Sequence, residues 1–214
     1  MNRETKIPIA VEGWKLIIPL AVLTTLLFVF RWEVSGFILL VITLFIVFFF
    51  RDPRREVPSG NGLVVSPADG KVVVIKQVLE NDYLHQSVMQ ISIFLSVFNV
   101  HVNRVPVSGK IECVKYNPGK FHIAAVEKAS LENEQTAIVI ADMNRKILVK
   151  QIAGMIARRI ACYVQPGDTV QQGERYGLIF FGSRVDIFVP AGSEIKVKLG
   201  DRVKGAKDII AILK

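Results

Sequence analysis

Gln165-Pro166-Gly167-Asp168-Thr169-Val170-Gln171-Gln172-Gly173 is echoed by Lys198-Leu199-Gly200-Asp201-Arg202-Val203-Lys204-Gly205. Each copy sets a Gly-Asp turn before an apolar residue, then a second glycine, then an apolar run: Gly177–Phe181 in one case, Ile209–Leu213 in the other. Glycine supplies positive φ and aspartate bonds its own backbone, so both copies read as tight turns feeding strands. The same texture extends back to Arg55. Short β-rich segments punctuated by Gly, Pro, Asn and Asp predict strands at Leu63–Ser66, Lys71–Val78, Val88–Phe94, Gly109–Lys115, Thr136–Asp142, Lys146–Ile152, Arg158–Tyr163, Tyr176–Phe181, Val185–Val189 and Glu194–Leu199. Helical periodicity is weak here. One short turn is expected near Ser96–Asn99, and Phe121–Glu134 reads as a loop.

The repeated Gly-Asp turn resembles the hammerhead turns of biotinyl- and lipoyl-type sandwiches and their barrel–sandwich hybrid relatives. The expected fold is therefore mainly β, a barrel–sandwich hybrid-like domain over residues 56–214. A biotinyl or lipoyl carrier needs a modifiable lysine at a hairpin tip. The chain has no Met-Lys-Met or Asp-Lys-Ala element, so the fold is kept and the carrier function dropped.

Residues 1–55 are different in kind. Trp14–Phe30 and Val34–Phe50 are two 17-residue apolar runs separated only by Arg31-Trp32-Glu33. As helices each spans about 26 Å, slightly short of a ~30 Å hydrocarbon core. A signal peptide is disfavoured by the second run and by the lack of a convincing small-x-small cleavage site. A two-helix membrane hairpin is expected, spanning by length, with a re-entrant hairpin in one leaflet as the alternative. Arg3, Lys6 and Lys15 precede it and Arg51, Arg54 and Arg55 follow, while Arg31 alone sits at the bend. The positive-inside rule then puts both ends and the β domain on the cytoplasmic side of the cell membrane.

Composition agrees with a membrane protein carrying one ordinary domain. The 214 residues are 51% hydrophobic and 21% charged, which excludes a disordered chain. The net charge of +8 is spread, with seven basic residues against four acidic up to Arg55 and twenty against fifteen after it. Nucleic-acid binding would call for Lys/Arg runs with interleaved aromatics, and none occurs. Anionic headgroups are the better-matched surface. Cys113 and Cys162 are far apart and the three histidines are scattered, so neither a metal site nor a disulfide framework is signalled.

Three places carry chemistry-bearing residues. Ser66-Pro67-Ala68-Asp69-Gly70-Lys71 lies between strands and, alone, is a good turn. In Phe98-Asn99-Val100-His101-Val102-Asn103-Arg104-Val105-Pro106-Val107-Ser108-Gly109, polar and apolar residues alternate. An imidazole near a guanidinium suits a general base and an anion clamp, and a half-exposed strand is the blander alternative. His85 and His122 read as surface or supporting residues. Phe180-Phe181-Gly182-Ser183-Arg184-Val185-Asp186 sets a Gly-Ser between apolar strands. It is not a G-x-S-x-G elbow. A glycine before serine leaves its carbonyl open to close approach by the hydroxyl.

Together, in this order and spacing, the hairpin, Arg51-Asp52-Pro53, the Ser66–Lys71 element, His101–Pro106 and Phe181-Gly182-Ser183-Arg184 resemble the phosphatidylserine decarboxylases, specifically the short bacterial and archaeal class. The resemblance implies a proenzyme that cuts itself between Gly182 and Ser183. A large chain (1–182) and a small chain (183–214) would remain associated, with the oligomeric state beyond that left open. Ser183 would become a pyruvoyl group, the only cofactor, with no metal and no pyridoxal phosphate, and would hold the substrate amine as a Schiff base. His101 is the implied base, with Asp69 orienting it. Longer members carry H-x-x-H, and here the second place holds Arg104. Either His101 serves both steps or Arg104 lowers the barrier electrostatically. Arg104 and Arg184 are the candidates for the lipid phosphate. Implied products are phosphatidylethanolamine and CO2. The alternatives are an archaetidylserine decarboxylase of the same chemistry, or a non-enzymatic membrane-anchored hybrid-motif adaptor.

Overall fold

The computed structural model describes residues 8–119, 133–142, 145–154, 159–180 and 182–214. Most of the Phe121–Glu134 loop, His122, Arg158 and Phe181 lie outside the described residues. The chain divides into two compact units, Met1–Arg54 and Arg55–Lys214.

In the first unit α1 (Val11–Val29) and α2 (Glu33–Phe49) form an antiparallel pair. The connection turns through Arg31 at φ +60. Inside an apolar hairpin a hydroxyl needs an internal partner. Thr24 and Thr43 meet across the pair at 3.2 Å, and each also bonds its own helix, to Leu20 and Leu39 carbonyls. Gly13 lets the Phe50 ring lie against α1, since a Cβ there would stand 2.6 Å from Phe50 Cβ. Among the described residues, α1 is the one helix both long and apolar enough to cross a membrane, and α2 is a shorter apolar helix.

Among the described residues the second unit is all β. Its strands are β1 (Leu63–Val65), β2 (Gly70–Glu80), β3 (Gln86–Leu95), β4 (Val102–Arg104), β5 (Gly109–Asn117), β6 (Gln135–Asp142), β7 (Arg145–Ala153), β8 (Ile160–Cys162), β9 (Thr169–Val170), β10 (Arg175–Ile179), β11 (Ser183–Pro190), β12 (Glu194–Ile195), β13 (Arg202–Val203) and β14 (Ile209–Ile212). An eight-stranded sheet runs β13-β2-β3-β11-β7-β6-β5-β9, with three-stranded sheets β1-β14-β12 and β4-β10-β8 beside it. The core forms where one face of the large sheet is buried. It takes Ile91, Ile93 and Leu95 from β3, Val185 and Ile187 from β11 and Val149 and Ala153 from β7, alternate residues as the period of two requires.

The repeat seen in the sequence is a repeat of structure. Gly167 and Gly200 both sit at φ above +90, and Asp168 and Asp201 each accept the N–H three residues back, from Gln165 and Lys198. β9 then pairs with the start of β5, and β13 with the start of β2, closing the two ends of the large sheet. A second repeated element escaped the sequence reading. Ser66-Pro67-Ala68-Asp69-Gly70-Lys71 corresponds to Val105-Pro106-Val107-Ser108-Gly109-Lys110. Gly70 and Gly109 are both needed for close approach, because a Cβ would meet the Phe94 or Ala141 carbonyl. The flanking ladders match as well. β1 and β4 pair antiparallel with β14 and β10, and both ladders skip one buried residue, Ile210 in the first half and Tyr176 in the second. Two like halves thus frame the large sheet, as a barrel–sandwich hybrid requires.

Candidate active site

Ser183 opens β11, paired to Leu95 of β3 on one side and Ala153 of β7 on the other. It is fully buried, and its Oγ has no hydrogen-bond partner among the described residues. Gly182 before it has φ +66, and a Cβ there would meet nothing within 4 Å among the described residues. Glycine is needed here for the backbone, not for space, since any L-residue in that region costs roughly 1–2 kcal/mol. A carbonyl in left-handed backbone, which glycine adopts freely, therefore directly precedes a fixed strand whose first side chain is a hydroxyl with no partner among the described residues.

His101 is also fully buried, just ahead of β4. Its Nδ1 lies 2.9 Å from the Asn99 carbonyl. A carbonyl only accepts, so Nδ1 carries the proton and Nε2 is the ring's basic nitrogen. Asn99 is itself fixed by the Ser96–Asn99 turn, its Oδ1 accepting from the Ser96 N–H and Oγ. The orienting bond that the sequence assigned to Asp69 is made by a backbone carbonyl.

The register places His101 relative to Ser183. The chain leaves β10 at Ile179 and enters β11 at Ser183, crossing from a small sheet to the large one. Gln151 of β7, in the rung of Val185, reaches across the core and donates to Asn103 Oδ1 at 2.8 Å; Asn103 is in the rung of Gly177. One step of two residues toward the crossover is the rung of Ile179, whose N–H donates to the His101 carbonyl. The matching step on the large sheet is the rung of Ser183 and Ala153. His101 stands just ahead of β4, two residues before Asn103, at the step of the small sheet that corresponds to Ser183 on the large one.

Asp69 stands at the same end of the sheet, two residues before Lys71, which pairs with Phe94 beside Arg184. Its Oδ1 accepts from the Gly205 N–H at 2.7 Å and its Oδ2 from Arg55 at 2.8 Å, and neither partner is His101. The Gly205 bond belongs to the repeated framework, for Ser108 Oγ accepts the Gln172 N–H at the corresponding place in the other half. The Arg55 ion pair has no such counterpart, because Ser108 carries no charge. Arg104 is half-buried and donates to the Gly173 carbonyl at 3.2 Å. Arg184 is fully buried, its Nε 2.9 Å from Asp186 Oδ1 and its Nη2 3.2 Å from Oδ2, with Gln90 also donating to that carboxylate. Proposed from sequence for a lipid phosphate, Arg184 is engaged inside the domain instead. Burial pushes the Cys162 thiol up, so it stays protonated and offers no competing nucleophile near β10.

The model of the family described as phosphatidylserine decarboxylase matches residues 42–211. The chain belongs to the phosphatidylserine decarboxylase family. It is 46% identical over 212 residues to the phosphatidylserine decarboxylase proenzyme of Geotalea uraniireducens, covering 99% of both chains. It is 48% identical over 202 residues to the proenzyme of Syntrophus aciditrophicus, covering 93% of this chain and 94% of that one. The proenzyme of Ruegeria pomeroyi is 44% identical over 211 residues.

Sequence reasoning missed Arg55, Asn99 and Gln151. Asn99 was legible in principle, as an Asn closing a Ser-x-x-Asn turn. Gln151 carries no local signal, since it becomes meaningful only when β7 is laid beside β11.

Proposed function

We propose that this chain is a self-processing, membrane-anchored phosphatidylserine decarboxylase. The observation that carries the reading is Ser183: buried, its Oγ unengaged, immediately after a left-handed glycine. His101 Nε2 takes the Oγ proton, and Oγ attacks the Gly182 carbonyl carbon. The Gly182–Ser183 C–N bond breaks, the proton passes to the amide nitrogen, and an ester replaces the peptide bond. Loss of the Ser183 α-proton to a base expels the Gly182 carboxylate and leaves dehydroalanine. Its imine tautomer takes up water and releases ammonia, giving a pyruvoyl end on residues 183–214.

The site fits that group. Ladders on both sides hold β11 in place once the chain is cut, and among the described residues no atom would lie within 4 Å of a Cβ on Gly182. The pyruvoyl group supplies a ketone for the substrate amine and an electron sink for the departing CO2. His101 then holds or returns the proton at the substrate α-carbon. Asp69, charge-balanced by Arg55, keeps the Ser66–Lys71 turn against Gly205. Arg104 is retained as the donor for lipid phosphate, and the buried Arg184 is not. The hairpin anchors the chain in the membrane, and its flanking arginines and lysines put the β domain on the cytoplasmic side.

Phosphatidylserine labelled at the serine carboxyl carbon tests the substrate. Reconstituted protein should release labelled CO2 from vesicles and scarcely any from free serine. Equal release from both would overturn the lipid assignment.

A further inference from the structure

We infer that Asn103 and Gln151 form an amide clamp that sets His101 over Ser183, a positioning pair for self-cleavage. The inference rests on the proposed function above and adds two residues to it. Both side chains are fully buried, and Gln151 Nε2 donates to Asn103 Oδ1 at 2.8 Å. The Ala161 carbonyl, 3.5 Å from the same nitrogen, fixes which end of Gln151 is the amide nitrogen. The bond joins the two layers two residues along from the rungs of His101 and Ser183.

Space has been cleared for it. A Cβ on Gly177 would stand 2.6 Å from Gln151 Nε2.

The fold alone does not require this pair. Asn103 Nδ2 and Gln151 Oε1 have no hydrogen-bond partner among the described residues, and each open buried valence costs stability. The internal repeat supplies the comparison. Where the second half has Asn103 opposite Gly177, the first half has Val64 opposite Ala211, both fully buried and apolar. Where the second half has His101, bonded through its carbonyl to the Ile179 N–H, the first half has Gly62, bonded likewise to Leu213. A valine therefore fulfils the structural role at this place. The polar version occurs only in the half that also carries the histidine.

Arg104 does not share that face. It follows Asn103 in the strand, and its guanidinium reaches the Gly173 carbonyl. Beside Arg104, the candidate the sequence offered after His101, it is Asn103 that is bonded to β7.

The test follows self-cleavage in a time course of cell-free synthesis into lipid nanodiscs, read as full-length chain against its two products. Asn103→Val, copying Val64, and Gln151→Leu should each slow cleavage about 10- to 100-fold, the scale of a misplacement near 1 Å. The double variant should be no slower than the slower single, because both remove one bond. The exchange Asn103→Gln with Gln151→Asn keeps an amide on each side and should recover most of the rate. Thermal midpoints are compared in a Ser183→Ala background, where nothing is cut. There Asn103→Val/Gln151→Leu should melt no lower than its parent. Wild-type cleavage rates in the folded apolar variants would overturn the clamp. So would slow cleavage that merely tracks a lowered midpoint. If the apolar variants fail to fold, a folded exchange variant that stays uncut overturns it and one that cuts supports it. A wild-type chain that never cuts would instead overturn the proposed function.

Discussion

Removing Arg184 separates a structural role from a substrate-binding one. The guanidinium and the Asp186 carboxylate are both inaccessible to solvent, paired at 2.9 and 3.2 Å, and Gln90 also donates to the carboxylate. Arg184→Met leaves that carboxylate buried without its main counter-charge, a change that costs roughly 3–5 kcal/mol. At about 2–4 °C per kcal/mol for a domain of this size, the midpoint should fall by about 6–20 °C. Thermal unfolding is measured in detergent on the Ser183→Ala background, so that cleavage does not alter the species being melted. Replacing both partners, Arg184→Met with Asp186→Leu, removes the unpaired charge and should return the midpoint to within a few degrees of the parent. With Ser183 restored, the same double variant should keep its KM for phosphatidylserine, because Arg184 does not reach the lipid. A single variant melting within about 2 °C of its parent would refute the pairing argument. A double variant of normal stability but raised KM would put Arg184 back at the phosphate.

Gly182→Ala would meet no atom within 4 Å among the described residues, but its Cβ costs about 1–2 kcal/mol in the left-handed backbone, which should leave the fold intact yet shift the carbonyl away from Ser183 and slow cleavage; thermal melts and gel time courses check the two halves. Burial alone would raise Glu80, but the N–H groups of Leu84 and Tyr83 and the Lys150 ammonium outweigh it and hold the carboxyl below 4.5. Its stabilisation is therefore full above that value and is lost as pH falls through the lowered folded-state pKa, so Glu80→Gln should flatten the acid limb of the stability–pH curve. A Glu80→Gln curve as steep as wild type would remove Glu80 from that role. Alkaline carbonate or high salt should leave the protein in the membrane pellet and detergent should release it, since α1 and α2 bury more apolar area than basic residues can replace electrostatically. Release by salt alone would mean that the helices pack within a soluble assembly.

The strands were legible because their residues alternate or are β-branched between Gly, Pro and Asn punctuation. Ten segments were expected as strands and the apolar run Ile209–Leu213 holds β14, while β9 and β13 are two residues each, inside turns already recognised. β4 was ambiguous for a physical reason. His101, Asn103 and Arg104 break the apolar pattern that marks a buried strand, yet His101 and Asn103 are fully buried. Burial of polar groups is paid for by cross-layer partners such as Gln151, which no local window contains. Gly182 and Ser183 were readable as a chemical pair. The surroundings of Asp69 were not, because its partners Arg55 and Gly205 come from opposite ends of the β domain.

Intact mass of the purified wild-type protein under denaturing conditions tests the central claim most directly. Cleavage after the left-handed glycine predicts a 182-residue chain ending at Gly182 and a 32-residue chain beginning at residue 183. The small chain should lack a free amino terminus and should weigh about 17 mass units less than the unmodified 183–214 segment, since the serine-to-pyruvoyl conversion is a net loss of ammonia. Ser183→Ala should give one mass for all 214 residues. A folded wild-type chain that stays whole, or one cut at another bond, would contradict the account.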